Sequence, residues 1–373
     1  MNIAAIKEKL KEAVDVVSRV ASEHPNLPIL RNISISAREG KIKLVATNLE
    51  IGITYFLPGK VIEEGSITVP AALLSQVVGN IQQDRLSLVA KNSSLEITTD
   101  NYHATLQGLP AEDFPIVPDI KNKATCFVCD AETIRAALSQ TLSASQFSEL
   151  RPELNSVFFR FLLDKIVLVA TDSFRLSEVG VPETQFETTA SKEIQKLIPL
   201  KTASEVVRII KDGEKIKICF DENQVLFQTE RFELLSRLIE GTFPDYQAIV
   251  PKSFSVEATL NKEEFASAVK LSGVMSGSVN EVVVRVSEGK KAIEIFSGES
   301  SLGENTSVLA AKIDTKKTKT IEAGFNWRYL LDGLRTIQSE EVFFGLNEEN
   351  KPAMLRSPQK TQNFYILMPI LKR

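Results

Sequence analysis

The sequence predicts an α+β protein built from three copies of one domain, each with two helices lying on antiparallel sheets. The first observation is a repeat, because the tetrapeptide LVAT ends an apolar run at residues 44–47 and again at residues 168–171. Two further landmarks recur at similar offsets, namely Thr68–Val78 with Leu197–Ile210, and Gly108–Pro118 with Ile239–Pro251. Landmarks that recur in the same order indicate a duplicated domain, and a fainter third set follows residue 250.

The second observation is the pattern of the segments between these landmarks. They alternate apolar and polar residues, as strands with one buried face do. Examples are KIKLVAT, SLEITTD, HATLQGL, KIKICF, QVLFQTE, EVVVRV and KAIEIF. Short polar turns such as KNSS and DENQ separate them, which favours antiparallel pairing.

Each copy is predicted to run helix, strands, helix, strands. Asp130 and Asn261 are suitable N-cap residues, since each has a glutamate two positions later. Apolar residues then recur at helical spacing, as Ile134, Leu138 and Leu142 do. The six predicted helices are Ala4–Arg19, Ala71–Ile81, Ala131–Leu142, Lys201–Lys211, Lys262–Met275 and Asn326–Ile337. The predicted domains are residues 1–122, 123–250 and 251–373, divided after the proline-containing segments IVPDIKNK and IVPKSF.

The composition excludes several classes of protein. The chain has 373 residues, 43% of them hydrophobic, which suits two or three globular domains. The charged N-terminal segment does not resemble a signal peptide, and no run of about eighteen apolar residues predicts a membrane span. Three cysteines are too few for a disulfide framework, so we expect a reducing cytoplasm. No convergent acid, base, nucleophile or metal cluster is apparent, so we predict neither an enzyme nor a cofactor.

The distribution of charge is uneven. The chain carries a formal net charge of −4, yet the six predicted helices together carry +4 and the remainder therefore −8. A weakly positive helical surface suits sequence-independent contact with phosphates. Mixed charge on the solvated face of ordinary amphipathic helices explains the same numbers, and the charges alone favour that interpretation.

Six segments resemble the bacterial DNA polymerase III β subunit family, the sliding clamps. They are LPILRNI (27–33), LPAEDFP (109–115), VATDSFRL (169–176), GTFPDYQAIVP (241–251), GFNWRYLLDGL (324–334) and the terminal MPI (368–370). The resemblance covers the whole chain in order. It implies three DNA-clamp domains that form half of a head-to-tail homodimeric ring closed around duplex DNA. Such a ring has no catalytic activity and tethers polymerase to its template.

The resemblance also implies three sets of site residues. An apolar groove for partner peptides of the type QL-S/D-LF would use Leu154, Thr171, Phe174, Arg175, Leu176, Pro244, Ile249, Asn326, Tyr329, Pro352, Met354, Ile366, Leu367, Met368, Pro369 and Ile370. Contact with DNA would use Lys7, Lys11, His24, Ser148, Arg151, Lys201 and Arg208. The dimer seam would use Ala104, Leu106, Lys270 and Leu271. The implied partners are double-stranded DNA, a second copy of the chain, the DNA polymerase III α subunit, the clamp loader δ subunit, and other polymerases and repair proteins.

The chain departs from the family pattern beside the groove. Ser173 and Phe174 stand where many members have Gly-His, and Ala248 stands where a basic residue is frequent. Two other functions stay open at this point. One is a repeat scaffold that binds proteins without DNA, and the other is an enzyme whose site has no recognisable motif.

Overall fold

The computed structural model describes residues 1–118, 120, 125–148, 151–287, 291–299, 301–315 and 320–371. Within these residues, one series of elements occurs three times: strand, helix, five strands, helix, three strands. The first series is β1 Asn2–Ile6, α1 Lys7–Val17, β2 Asn32–Arg38, β3 Lys41–Thr47, β4 Ile51–Leu57, β5 Gly59–Glu63, β6 Gly65–Pro70, α2 Ala71–Asn80, β7 Arg85–Lys91, β8 Ser94–Thr98 and β9 His103–Gln107.

The second and third series repeat this order. The second is β10 Thr125–Asp130, α3 Ala131–Leu142, β11 Ser156–Phe161, β12 Lys165–Thr171, β13 Arg175–Pro182, β14 Phe186–Thr188, β15 Ile194–Pro199, α4 Leu200–Ile209, β16 Lys215–Phe220, β17 Gln224–Gln228 and β18 Phe232–Arg237. The third is β19 Val256–Asn261, α5 Lys262–Gly273, β20 Glu281–Val286, β21 Ala292–Glu299, β22 Gly303–Ala310, β23 Lys312–Thr315, β24 Ile321–Asn326, α6 Trp327–Thr336, β25 Glu341–Leu346, β26 Ala353–Arg356 and β27 Phe364–Leu367.

The strands form antiparallel sheets with one recurring order. In each series the fifth, first, seventh, eighth and ninth strands are neighbours, as in β5-β1-β7-β8-β9. The sixth, second, third and fourth strands form a second group, as in β24-β20-β21-β22. Between series, the ninth strand pairs with the fourth strand of the preceding one: β18 with β4, and β27 with β13. The predicted α+β fold with two helices per copy is therefore confirmed.

The chain forms two compact units. The first unit comprises Met1–Glu132, Phe186–Ala190 and Glu205–Leu238. The second unit comprises Thr133–Gln185, Ser191–Ser204 and Ile239–Arg373. In the first unit, Leu10 and Val14 of α1 lie one turn apart and are fully buried. In the second unit, Phe265 of α5 and Leu330 of α6 are buried in one cluster with Phe344 of β25.

The start of the first helix was predicted three residues too early. Residues Asn2–Ile6 form β1, which pairs with both β5 and β7, and the helix begins only at Lys7. Helical propensity at Ala4 and Ala5 gives way because tertiary hydrogen bonds to two neighbouring strands outweigh it. All six helices of the described residues follow a strand directly in this way.

The cysteines are arranged differently from the expectation. Cys126 of β10 and Cys219 of β16 are directly opposite one another and form a disulfide in the first unit. The CxxC spacing of Cys126 and Cys129 carries no pairing, because strand residues three apart face opposite sides of a sheet. Cys129 is a free thiol, and burial raises its pKa to about 12.

Two further expectations concern the chain as a whole. The first predicted domain boundary, between residues 122 and 123, lies outside the described residues. The second follows the short helix Tyr246–Ile249, and both boundaries stay predictions. No helix among the described residues is long and apolar enough to cross a membrane.

Candidate functional site

The repeated LVAT segment builds one turn twice. Thr171 Oγ1 donates to the carbonyl of Arg175, and Asp172 Oδ1 accepts from the backbone N–H groups of Phe174 and Arg175. The same three hydrogen bonds link Thr47, Asn48 and the residues at 50 and 51 in the first unit. The third turn residue is left-handed in both copies, with φ of 76° at Ser173 and 74° at Leu49. Glycine would adopt this conformation without strain, whereas serine and leucine do so less readily.

The C-terminal tail is fixed against the turn of the second copy. Strand β27 pairs with β13 so that Leu176 lies opposite Ile366. Beyond β27, the Met368 N–H donates to the Phe174 carbonyl at 2.8 Å, and the Ile370 N–H donates to the Gly324 carbonyl at 2.8 Å. Chain ends commonly fray, so these hydrogen bonds explain why the last described residues hold a defined position.

The predicted groove residues divide into a buried floor and an exposed rim. The floor residues, Leu154, Leu176, Met354 and Ile366, belong to one hydrophobic cluster of the second unit. Leu176 and Ile366 are only 1% exposed. The rim is open to solvent at Pro244, Ile249 and Phe174, the last of which is 62% exposed. Thr171 and Pro369 are buried, whereas Pro352, Met368 and Ile370 are half-buried.

Four predicted groove residues lie on the other face of the sheet. Leu367 belongs to the cluster beneath α6, because it neighbours Ile366 in a strand and therefore points the opposite way. Arg175 alternates with Leu176 in the same manner. Its guanidinium lies 4.2 Å from the centre of the Tyr329 ring. Asn326 caps α6, its Oδ1 accepting from the N–H of Arg328. The structure thus places these four residues on the helix side of the sheet, and their part in the groove stays a prediction.

Arg175 is a structural cation in this arrangement. Its Nε donates to Asp172 Oδ2 at 2.9 Å, and its Nη1 donates to Asp332 Oδ2 at 2.6 Å. The residue is 8% exposed, so it presents almost no charge to a partner. Burial alone would lower the pKa of Arg175, but Tyr365 and the two carboxylates raise it. Breaking such a buried pair leaves an uncompensated charge.

The turn after the first LVAT segment, in the first unit, has no comparable apolar floor, and Gly52 explains the difference. Gly52 pairs with Thr47 as Leu176 pairs with Thr171, so it stands in place of a floor residue. A Cβ added at Gly52 would lie 2.5 Å from Cγ1 of Val117. Val117 therefore occupies the space that a leucine side chain would need. The neighbouring Ile116, the counterpart of Ile249 in the repeated IVP segment, is 92% exposed.

The predicted DNA contacts include a charged cleft in the first unit. An open cleft of about 370 Å³ lies where α1 meets the end of α4. Its charged lining residues are Lys9, Lys11, Arg19, Arg208 and Lys211, together with Glu8, Glu12 and Asp15. Lys7 is mostly buried and pairs with Glu8 at 2.7 Å, so it is not a free cation on this surface. Lys9, Arg19 and Lys211 were not among the predicted DNA contacts, although helical spacing links Lys211 to Arg208, three residues before it.

The remaining predicted DNA contacts are placed as follows. Lys201, on α4 of the second unit, is exposed, and Arg208 on the same helix pairs with Glu205 at 2.7 Å. Arg151 is exposed, and its Nη1 donates to Ser173 Oγ at 3.2 Å. The backbone N–H of Ser148 donates to Asn155 Oδ1. His24 is exposed in a loop, where its Nδ1 accepts from the N–H of Asn26.

Glu12 ties the cleft to the sheet beneath it. Its Oε1 accepts hydrogen bonds from Tyr55 at 2.6 Å and from Arg231 at 2.8 Å, and lies 2.8 Å from Lys211 Nζ. Burial alone would raise the pKa of Glu12, but Lys211 and Tyr55 together lower it to about 2. The carboxylate therefore stays charged across the physiological range.

We expect acid to weaken the fold through Glu12. A folded-state pKa below the ordinary 4.5 stabilises the fold above that value, and the contribution is lost as the pH falls from 4.5 towards 2. Melting temperatures at about pH 6 and about pH 3 should differ less in Glu12→Gln than in the unaltered chain. Asp15→Asn, an exposed change on the same helix, is the control and should leave the difference unaltered. Equal acid sensitivity of Glu12→Gln and the unaltered chain would contradict this role.

Two of the predicted seam residues lie on an edge strand, and the other two lie at the end of α5 beside another edge strand. Strand β9 is the edge of its sheet in the first unit, and β22 is an edge in the second unit. Leu106 is 3% exposed, so its side chain packs within the chain and only its backbone is available at the edge. Ala104 is half-buried, whereas Lys270 is exposed and Leu271 is 61% exposed.

Leu271 is one of several exposed apolar side chains carried by α5, β22 and the segments that flank them in the second unit. The others are Val274, Val279, Leu302 and Val308. Asn305 Nδ2 donates to the Leu271 carbonyl at 3.1 Å, which joins the end of α5 to β22. The described residues contain no group of three or more His, Cys, Asp or Glu side chains arranged to hold a metal ion.

Three family models match the chain, each describing one part of the DNA polymerase III beta subunit. The N-terminal domain matches residues 1–118, the central domain residues 129–245 and the C-terminal domain residues 247–371. The beta sliding clamp of Rickettsia bellii is 26% identical over 97% of each chain.

Solved structures of similar proteins share the fold over their whole length. The DNA polymerase sliding clamp of Bacillus subtilis gives a TM-score of 0.93 at 24% identity and covers 100% of both chains. A DNA polymerase III subunit beta from Bartonella birtlesii, bound to griselimycin, gives a TM-score of 0.90 at 28% identity and also covers 100% of both chains.

Proposed function

We propose that this chain, which belongs to the DNA polymerase III beta subunit family, is a DNA replication processivity factor. Two copies close head to tail into a ring around duplex DNA, slide along it without reading its sequence, and tether the replicative polymerase. The ring performs no chemistry of its own. It acts where the chromosome is replicated, in the bacterial cytoplasm.

The observation that carries this proposal is a pair of unmatched strand edges. The ninth strands of the second and third series each pair antiparallel with the fourth strand of the preceding series. The ninth strand of the first series, β9, and the fourth strand of the third, β22, have no such partner among the residues that the structure describes. Pairing β9 of one copy with β22 of another satisfies both edges and repeats the geometry of the other two junctions. Because the two surfaces differ, the contact is heterologous, and two such contacts close a ring.

The charges of α1 and α4 support contact with DNA. The cleft where these helices meet is lined by five basic and three acidic residues. A modest positive excess attracts phosphates without holding one position tightly, as sliding requires. The formal net charge of −4 leaves the rest of the chain acidic, which disfavours binding elsewhere on its surface.

The tail and the β13 turn support a peptide groove. The exposed rim at Phe174 and Ile249 supplies apolar contacts for leucine and phenylalanine side chains, and the buried floor supports this rim from beneath. We propose that the DNA polymerase III α subunit, the clamp loader δ subunit, other polymerases and repair proteins bind here through short QL-S/D-LF peptides. The Bartonella birtlesii protein was solved with griselimycin bound.

The test of the proposal is retention on circular DNA. Protein loaded onto nicked circular DNA by a clamp loader should stay bound through gel filtration and should be released when the DNA is linearised. A scaffold that binds only proteins would show no dependence on DNA topology, and that result would refute the ring.

Charge reversal on α4 should shorten this retention. We expect Lys201→Glu combined with Arg208→Glu to reduce the fraction retained at least several-fold, because two phosphate attractions become repulsions. The control is Arg38→Glu with Lys41→Glu, the same change at exposed residues outside α1 and α4. Retention equal to that of the control would remove α4 from the proposed DNA-facing surface.

A further inference from the structure

The segment after α3 holds an exposed aromatic side chain beside a lysine. Phe147 is 60% exposed, and Lys201 Nζ lies 5.7 Å from the centre of its ring. Isolated exposed hydrophobic residues are common on proteins and need no function. Phe147 differs from such residues because neighbouring groups restrain its position.

The backbone next to Phe147 is clamped. Asn155 Oδ1 accepts from the Ser148 N–H at 2.7 Å, and Asn155 Nδ2 donates to the Ser148 carbonyl at 2.6 Å. Two hydrogen bonds from one side chain fix the residue adjacent to the aromatic ring. The backbone beside Phe147 is therefore restrained, which lowers the backbone entropy lost when a ligand packs on the ring.

The chemistry of Phe147 and Lys201 indicates which kind of ligand would bind. A ring with an adjacent ammonium group offers stacking to a planar group and attraction to an anion. Unpaired nucleotides combine a base with a free face and a phosphate. Bases in a duplex already stack on one another and expose no face, so duplex DNA would use Lys201 and leave Phe147 unused. A peptide anchor normally fills a concave apolar pocket, whereas this ring projects.

We propose that Phe147 stacks on an unpaired base of single-stranded DNA while Lys201 contacts the adjoining phosphate. The proposal rests on the proposed function, which directs Lys201 towards DNA. It adds a second nucleic-acid ligand to a chain whose main partner is duplex. Such a contact suits the single-stranded template that emerges beside a primer end.

The test compares two fluorescein-labelled probes, a 20-nucleotide oligothymidine and a 20-base-pair duplex, by fluorescence anisotropy on the full chain. Phe147→Ala should weaken oligothymidine binding by about five-fold or more and leave duplex binding within two-fold. Phe147→Trp should restore it, because the larger ring also stacks. The control is Leu163→Ala, an exposed apolar residue of the same copy, which should change neither affinity.

The salt dependence of oligothymidine binding distinguishes the role of Lys201 from that of Phe147. Lys201→Gln should reduce the slope of log affinity against log salt for oligothymidine by about 0.7, the value of one phosphate contact on a single strand. Phe147→Ala should lower the affinity at every salt concentration and leave the slope unchanged. Oligothymidine affinity that is unaffected by Phe147→Ala, or equally weak in Phe147→Ala and Phe147→Trp, would overturn the proposal. Failure of the ring itself would appear separately, as loss of retention on circular DNA by the unaltered chain.

Discussion

Replacing Leu271 with aspartate is expected to convert the proposed dimer into monomers at micromolar concentrations. Leu271 is 61% exposed in the single chain, beside the unpaired edge of β22. If β22 pairs with β9 of a second copy, this side chain becomes buried in the seam. A carboxylate buried there without a partner would cost about 3 kcal/mol or more at each of the two seams of a ring.

Sedimentation velocity measures this outcome directly. A single seam weakened by about 3 kcal/mol loses more than a hundred-fold in affinity, and the closed ring contains two such seams. The control is Leu163→Asp, which places the same charge on a similarly exposed leucine at the turn before β12. The control should remain dimeric. An intact dimer in Leu271→Asp would place the seam on another surface, whatever the behaviour of the control.

The helices were the part of the fold most readily predicted from the sequence. Helix α3 begins and ends at the predicted residues, Ala131 and Leu142, because its apolar spacing and Asp130 agree. The prediction of the first helix was wrong at its start, because Ala4–Ile6 was predicted as helix but belongs to the paired strand Asn2–Ile6. Local pattern predicts an element well when no long-range hydrogen bond competes for the same backbone groups.

The predicted groove residues show a second limit of prediction from the sequence. The resemblance to the family predicted both Ile366 and Leu367 as groove residues. They are neighbours in one strand, however, and neighbouring side chains of a strand point to opposite faces. The structure assigns Ile366 to the floor and Leu367 to the core beneath α6. The alternation of side chains along a strand could have predicted that Ile366 and Leu367 lie on different faces. The ion pair of Arg175 could not be predicted in this way, because its partner Asp332 lies 157 residues away and no local pattern links the two residues.

Two features had no usable signal in one sequence. The disulfide joins Cys126 to Cys219, 93 residues apart, and only the register of β10 against β16 brings them together. The difference between the two LVAT turns depends on Gly52, whose missing side chain admits Val117. A glycine in a strand indicates a close approach of another group, but not which group approaches.

Deleting residues 368–373 is expected to abolish binding of a QL-S/D-LF peptide while leaving the dimer intact. Lys372 and Arg373 lie outside the described residues, and the described residues that the deletion removes are Met368, Pro369, Ile370 and Leu371. The deletion removes the hydrogen bonds from Met368 to Phe174 and from Ile370 to Gly324, and it exposes the end of the floor. Strand β27 is retained, so its pairing with β13 should keep the third copy folded. Fluorescence anisotropy of a labelled peptide measures the affinity, and melting temperature reports the fold.

A pair of point variants keeps this prediction decisive even if the truncated chain is unstable. Ile249→Asp places a charge on the exposed rim of the groove, and Ile116→Asp makes the same change at its counterpart in the first copy. In the first copy Val117 fills the space next to Gly52, whereas in the second copy Leu176 occupies the position equivalent to Gly52 and belongs to the apolar floor. Peptide affinity should therefore fall at least ten-fold in Ile249→Asp, about 1.4 kcal/mol, and stay unchanged in Ile116→Asp. Equal effects of the two variants would mean that both LVAT turns bind the peptide, and no effect of either would remove the groove from this face of the chain.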